Sequence, residues 1–146
     1  MKVLLLSGGA DSIYIYNYNK FDKYIYLNYG QKQIDTELEI INNLPINYDI
    51  IKIDNLIKDK KGFYQCRNLK FLLTVLDNYP NVKNITFGTN ANDKHPDNNR
   101  DFFDLMEMII YSSYKKEIKI LTPLKDLKKK EIIKSLNNQK IKYYTD

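Results

Sequence analysis

Two hydrophobic rhythms alternate along the chain. Val3-Leu4-Leu5-Leu6 is a short continuous apolar run that stops at Ser7-Gly8-Gly9, as a strand buried on both faces does. A short helix is predicted from about Asp11 to Tyr18. Tyr24 to Tyr29 reads as a second strand, and Ile34, Leu38 and Ile41 then fall at spacings of four and three, one helical face closed by Pro45. Tyr48 to Ile53 predicts a third strand. The polar stretch Asp54 to Gln65, with Gly62, predicts an irregular segment. Leu69, Leu72, Leu73 and Leu76 mark another helix, and Ile85 to Gly88 a fourth strand. The Asn- and Asp-rich stretch Thr89 to Asn99, broken by Pro96, is a loop. Phe102, Met106 and Ile109 open a helix running to about Tyr114. Lys119 to Leu124 is a fifth strand, with Pro123 near its end where a missing N–H is tolerable. Asp126 is the expected N-cap of a last helix, about Leu127 to Asn138.

Strand and helix alternate five times, which predicts the α/β class: a five-stranded parallel sheet with helices on both faces and right-handed crossovers. Ligands of such sheets bind beyond the carboxyl ends of the strands. That geometry lines up Ser7–Ser12, Tyr29–Gln31, Gly88–Asp97 and Pro123–Lys129 along one edge. The 146 residues are expected to form a single domain, residues 1–146.

Composition narrows the partners. A net charge of +5 favours an anionic ligand such as a nucleotide. No basic stripe interleaved with exposed aromatics is seen, so a nucleic-acid platform is not expected. The single cysteine, Cys66, excludes an intrachain disulfide and predicts a reduced, cytoplasmic setting. No apolar run approaches the ~18 residues of a membrane span, and the opening apolar run is too short for a signal peptide.

The segment after the first strand carries the chemistry. Two glycines in Ser7-Gly8-Gly9-Ala10-Asp11-Ser12 let the backbone turn sharply and let an anion approach its N–H groups. The following helix directs its positive end to the same place. Ser7 and Ser12 add hydroxyl donors. Asp11 would repel a phosphate but can hold a Mg²⁺ ion that grips one. The segment lacks the Gly-Lys-Ser/Thr of a Walker loop and the third glycine of the dinucleotide fingerprint. On these grounds alone, a plain strand-to-helix turn capped by Ser or Asp stays open.

Ser7-Gly8-Gly9-Ala10-Asp11-Ser12 resembles the Ser-Gly-Gly-x-Asp-Ser signature of the PP-loop ATP pyrophosphatases, which split ATP between the α and β phosphates. Further segments are similar, in order, to 7-cyano-7-deazaguanine synthase of that superfamily. They are Tyr29-Gly30-Gln31 with Glu37-Leu38, Arg67-Asn68, Gly88 with Asn90, Asp93 and Pro96-Asp97, and Thr122-Pro123-Leu124 with Lys129 and Glu131. The resemblance implies a Rossmann-like three-layer sandwich of the adenine nucleotide α-hydrolase type, with ATP and Mg²⁺ as cofactors. It assigns Leu6, Ser7, Gly8, Gly9, Ala10, Asp11, Ser12, Tyr29, Gly30, Gln31 and Gly88 to the nucleotide. Arg67, Asn68, Asn90, Asp93 and Asp97 would meet the substrate, and Asp11, Lys129 and Arg67 would act in catalysis. His95 stands where that family usually has Tyr.

The implied activity is that of an ATP-dependent carbon–nitrogen ligase in queuosine biosynthesis. It would adenylate a deazapurine carboxylate, 7-carboxy-7-deazaguanine, and convert it with ammonia to the amide or nitrile. The family's closing cysteine cluster, which binds a structural Zn²⁺, is not matched, since Cys66 cannot form a four-ligand site. A shortened member without zinc is expected, either as a homodimer or with a separate Cys-rich, zinc-bearing chain. The alternatives are a non-catalytic or split nucleotide-binding module of the same fold, or another PP-loop tRNA-modifying enzyme.

Overall fold

In the computed structural model, which describes residues 1–145, each apolar run is a strand and each 3.6-residue pattern a helix. In chain order the elements are β1 (Lys2–Leu5), α1 (Ala10–Tyr18), β2 (Lys23–Asn28), α2 (Ile34–Asn42), β3 (Asp49–Lys52), α3 (Arg67–Asn78), β4 (Asn84–Thr86), α4 (Arg100–Tyr114), β5 (Lys119–Leu121) and α5 (Lys129–Asn138). The sheet order is β3-β2-β1-β4-β5, and every pairing is parallel. Asp146 lies outside the described residues.

Side chains alternate across the central strands, and each face is apolar. Val3, Ile25, Ile85 and Ile120 pack with Leu72 and Val75 of α3 and Phe103, Met106 and Ile110 of α4. Leu4 and Tyr26 face the other way, onto Ala10, Ile13 and Ile15 of α1, Ile41 of α2, and Ile132 and Leu136 of α5. The result is a three-layer α/β sandwich of Rossmann-like form. Burying both faces explains why the strands read as apolar runs rather than alternations. β1 is the central strand, paired with β2 on one side and with β4 on the other, and the sheet reverses its winding between β1 and β4. Loops diverge from their carboxyl ends there, leaving a crevice.

Several predicted boundaries shift. β5 ends at Leu121, because Thr122 to Leu127 folds into turns closed by Lys125 N–H to Thr122 C=O (3.3 Å) and Leu127 N–H to Leu124 C=O (2.9 Å). Asp126 is therefore not the N-cap of α5. Lys128 occupies that position, and its N–H donates to the Glu131 carboxylate at 2.8 Å, so the helix opens two residues late. β4 stops at Thr86, leaving Gly88 beyond the strand. The Asp54–Gln65 stretch has local order. The Asp59 carboxylate accepts N–H groups of Lys61 and Phe63, and Lys58 bridges Tyr64. No helix among the described residues is long and apolar enough to cross a membrane.

Candidate functional site

The turn from β1 into α1 is built by its own side chains. Ser7 N–H donates to Ser12 Oγ (3.0 Å), Gly9 N–H to Ser7 Oγ (3.2 Å), and Ser12 Oγ to the Gly9 carbonyl (3.3 Å). Gly8 has φ of 80°, and a Cβ there would sit 3.0 Å from the Glu37 carbonyl oxygen. Glycine is required for both reasons. Ile13 N–H is the first to close a helical bond, to Gly9 C=O. The N–H groups of Ala10, Asp11 and Ser12 thus belong to the open positive end of α1. The donors offered to an anion are these later ones, since Ser7 and Gly9 N–H are already taken by serine hydroxyls.

Asp11 sits on that first turn and is the centre of the site. Its Oδ2 meets Lys129 Nζ at 3.0 Å and accepts from Asn90 Nδ2 at 3.2 Å. Its Oδ1 is buried and accepts no hydrogen bond among the described residues. Burial holds the Asp11 carboxyl above the usual carboxylate range. Lys129 and Asn90 oppose that rise, and nearby Asp93 adds to it. Gly88 lets the next strand's loop come this close, because a Cβ there would lie 2.9 Å from Asp11 Cβ. Gly88 is therefore a packing glycine against the β1–α1 turn.

Three elements deliver the other charges. Lys129 opens α5, and its N–H donates to Asn92 Oδ1 at 2.8 Å, which ties the helix to the β4–α4 loop. Arg67 opens α3 and stacks over Phe71 one turn on, with 5.6 Å to the ring centroid. Both cations stand at the positive ends of helices, where the dipole disfavours them unless an anion shares the site. The Asp97 carboxylate serves that purpose at α3. Its Oδ2 accepts Asn68 N–H at 2.9 Å, replacing the missing cap at Cys66, while its Oδ1 meets His95 Nδ1 at 2.6 Å. Asn68 is buried and donates to Asp97 C=O and Asn98 Oδ1. Tyr29 packs edge-on to Tyr64. Burial raises its hydroxyl pKa, Arg67 beside it pulls it back, and Glu37 adds to the rise.

These groups surround a cavity of about 630 Å³ at the carboxyl edge of the sheet. Leu6, Ser7, Gly9, Ala10, Asp11, Ser12, Tyr29, Gln31, Gly88, Arg67, Asn68, Asp93 and Lys129 all line it. Four sequence-predicted residues stand behind the wall instead. Gly8 packs on Glu37, Gly30 is exposed at a φ of 84°, Asn90 braces Asp11, and Asp97 caps α3. Gln31 is chiefly a brace, because its amide nitrogen donates to the Tyr26 hydroxyl (2.8 Å) and the Leu27 carbonyl (3.1 Å). Sequence reasoning missed Phe71, Thr89 and the segment Tyr143 to Thr145 as wall residues. Phe71 was legible as the residue one turn after Arg67. The last segment was not, since its place depends on Tyr144 N–H donating to Gly8 C=O at 2.7 Å, across the whole chain.

Comparison with curated protein sequences gives no match. Among solved structures, the U34-tRNA thiolase NcsA from Methanococcus maripaludis, with its [4Fe-4S] cluster, superposes at a TM-score of 0.60 and 20% identity. The match covers 99% of this chain and 59% of the thiolase chain, so this chain spans little more than half the length of that relative. At that identity the likeness is one of fold. The family model of queuosine biosynthesis protein QueC matches residues 58–145. That span starts well after Ser7–Ser12, so the phosphate-loop signature and the family match are separate observations. Together with the shared fold, they make this chain a member of the QueC family within the PP-loop superfamily.

Proposed function

We propose that this protein is an ATP-dependent ligase of queuosine biosynthesis that activates a deazapurine carboxylate by adenylation. The observation that carries the reading is Asp11. A buried carboxylate oxygen with no hydrogen-bond partner among the described residues sits on the open first turn of a helix, with Lys129 on its other oxygen. A carboxylate held above its ordinary pKa by burial, with open lone pairs, fits a divalent cation that arrives with a polyphosphate. No group of three or more His, Cys, Asp or Glu residues that could cage a metal exists among the described residues. Phosphate oxygens would then supply the remaining ligands. Bound in that way, Mg²⁺ would neutralise charge on the polyphosphate.

The chain's own groups do the rest. N–H groups of Ala10, Asp11 and Ser12 hold phosphate oxygens at the end of α1. Lys129 stabilises charge as pyrophosphate leaves, and Arg67 fixes the acid of the substrate beside Tyr29 and Phe71. The substrate carboxylate attacks the α-phosphorus of ATP, and the bond to the β-phosphate oxygen breaks. Ammonia then displaces AMP to form the amide, and dehydration of that amide with a second ATP gives the nitrile. A carboxylate needs this activation because its own leaving group would be oxide.

The test is an assay of the full chain with ATP, Mg²⁺, ammonium and 7-carboxy-7-deazaguanine. Pyrophosphate release that depends on the acid, with loss of the acid's mass and gain of the amide or nitrile, is the expected result. Release that depends on tRNA instead would move the chain to a tRNA-modifying reaction. ATP binding without any turnover would make it a nucleotide-binding module.

A further inference from the structure

Helix α5 and the segment after it hold the β1–α1 turn at two points. At the start of α5, Lys129 Nζ meets Asp11 Oδ2 at 3.0 Å. Beyond its end the chain reverses at Lys140, which has φ of 56°, and Ile141 N–H donates to the Leu136 carbonyl at 3.0 Å. Ile141 and Tyr143 then pack on the core shared by α1 and α5, and the Tyr143 hydroxyl donates to Asn137 Oδ1 at 2.9 Å. This anchoring carries the next residue to the turn. Tyr144 N–H donates to the Gly8 carbonyl at 2.7 Å, and Tyr144 bridges Gly9 in parallel.

The bond falls on a peptide that sterics leave free to rotate. Rotating the Gly8–Gly9 peptide changes ψ of Gly8 and φ of Gly9, and neither residue has a Cβ to oppose it. Hydrogen bonds must therefore fix it. Its N–H is held within the turn, by Ser7 Oγ at 3.2 Å. Its carbonyl is held from outside, by Tyr144. Without that second bond, a flip would send the carbonyl to the side of Ser7 Oγ, where the N–H now points, and would change φ of Gly9. Gly9 is the N-cap of α1, and its own carbonyl takes Ile13 N–H at 3.1 Å and Ser12 Oγ at 3.3 Å. Its conformation thus sets where the open N–H groups of α1 point. Tyr144 and Thr145 also line the cavity with Ser7 and Gly9, so turn and tail share one wall.

We propose that the segment Tyr143–Thr145 is a strap whose docking is coupled to occupation of the cavity by a polyphosphate, with the Tyr144 N–H as the positioning group. The coupling rests on the nucleotide reading given above; the hold on the turn does not. With the strap docked, the turn keeps the conformation that offers its N–H groups to an anion. With the strap released, part of the population has the Gly8–Gly9 peptide reversed and binds less tightly. A ligand that prefers the docked state must in turn hold the strap down by the same factor.

Measurements on the full chain test this. In the ligand-free wild type, Gly9 N–H should show no μs–ms exchange by ¹⁵N relaxation dispersion. Tyr144→Pro, which removes the donor, should bring such exchange on at Gly9. Tyr144→Ala, which keeps the N–H, should not. Equilibrium titration should give a Kd for Mg²⁺-ATP about tenfold higher in Tyr144→Pro than in wild type, within the usual range of coupling between sites. In the wild type, saturating Mg²⁺-ATP should slow hydrogen exchange of the Tyr144 amide by a similar factor, a reading that needs no variant to fold. A Gly9 that stays quiet in Tyr144→Pro, or that exchanges equally in both variants, overturns the hold on the turn. Mg²⁺-ATP bound by the wild type with Tyr144 exchange unchanged overturns the coupling. A wild type that binds no Mg²⁺-ATP overturns the nucleotide reading and the coupling with it, while Gly9 relaxation still decides whether the strap fixes the turn.

Discussion

Two loops meet at the switch point of the sheet and they are built on opposite plans. The β1–α1 turn is short and self-contained: Ser7, Gly9 and Ser12 satisfy one another within six residues. The β4–α4 loop is long and is held from outside. Asp97 caps α3, Asn92 receives the Lys129 N–H, Ala91 N–H donates to the Leu127 carbonyl, and Asn90 reaches Asp11. The short turn presents backbone donors and one carboxylate to the cavity. The long one sets where Arg67 and Lys129 stand relative to that carboxylate. Under the proposed function one loop supplies chemistry and the other supplies position, so damage to each should read differently.

The largest effect should come from the short turn. Asp11→Asn should lower ATP-dependent pyrophosphate release by about 10²–10³-fold, the scale for removing a preorganised charge at a reacting phosphate. The same change should leave the metal-free chain as stable as wild type or more so, because burial already penalises the ionised Asp11. A variant that loses activity and melts lower would make Asp11 a structural residue and dissolve the contrast.

Gly8→Ala should come next, and here stability and binding should fall together. The added Cβ would meet the Glu37 backbone in a left-handed conformation, at a cost of about 1–3 kcal/mol. Differential scanning calorimetry and ATP titration measure the two losses, and Gly30→Ala, with nothing within 4 Å of its Cβ, separates conformational strain from crowding.

Asp97→Ala should act through position. It removes the cap from α3 and leaves a buried N–H without its acceptor, which costs about 1–3 kcal/mol. Since Arg67 is the first residue of that helix, KM for the acid substrate should rise more than kcat falls. An equal drop in kcat and kcat/KM would instead put Asp97 in contact with the reacting groups.

The smallest effect lies far from either loop, at Asp49. Tyr79 and Lys23 hold its carboxyl below the ordinary value, and Asp49 in turn helps burial push the Tyr79 hydroxyl up to about 12. A depressed folded-state pKa means stability that is present above the unfolded value and is lost as pH falls through the lower folded one. The group is nearly half exposed, so solvent screens it and the loss should be slight. Melting curves of wild type and Asp49→Asn should converge as pH drops below 4, the region of the unfolded carboxylate. Curves that run parallel through that range would remove the linkage.

Much of this architecture was legible because it depends on local spacing. Strands buried on both faces show as unbroken apolar runs such as Val3–Leu6, and helix faces show as Leu69, Leu72 and Leu76. The tight β1–α1 turn was legible because a left-handed Gly8 packed on Glu37 leaves glycine as the residue that fits. The N-cap of α5 was misplaced because the Thr122–Leu127 turns compete with the helix, and Glu131 settles the contest by bonding Lys128 N–H. Asp97 could be picked out as important, but its partner is an N–H 29 residues away, which no local pattern encodes.

What the chain order determined by itself is the set of elements, their faces and the loop that follows β1, since each rests on contacts within a few residues. What only the tertiary structure decided is which charges share a site. Asp11 and Lys129 are 118 residues apart in sequence and 3.0 Å apart in space, because β1 lies at the centre of the sheet and α5 packs back on α1. A carboxylate on one helix start and an ammonium on another acquire a joint role only once packing of both layers fixes the distance between them.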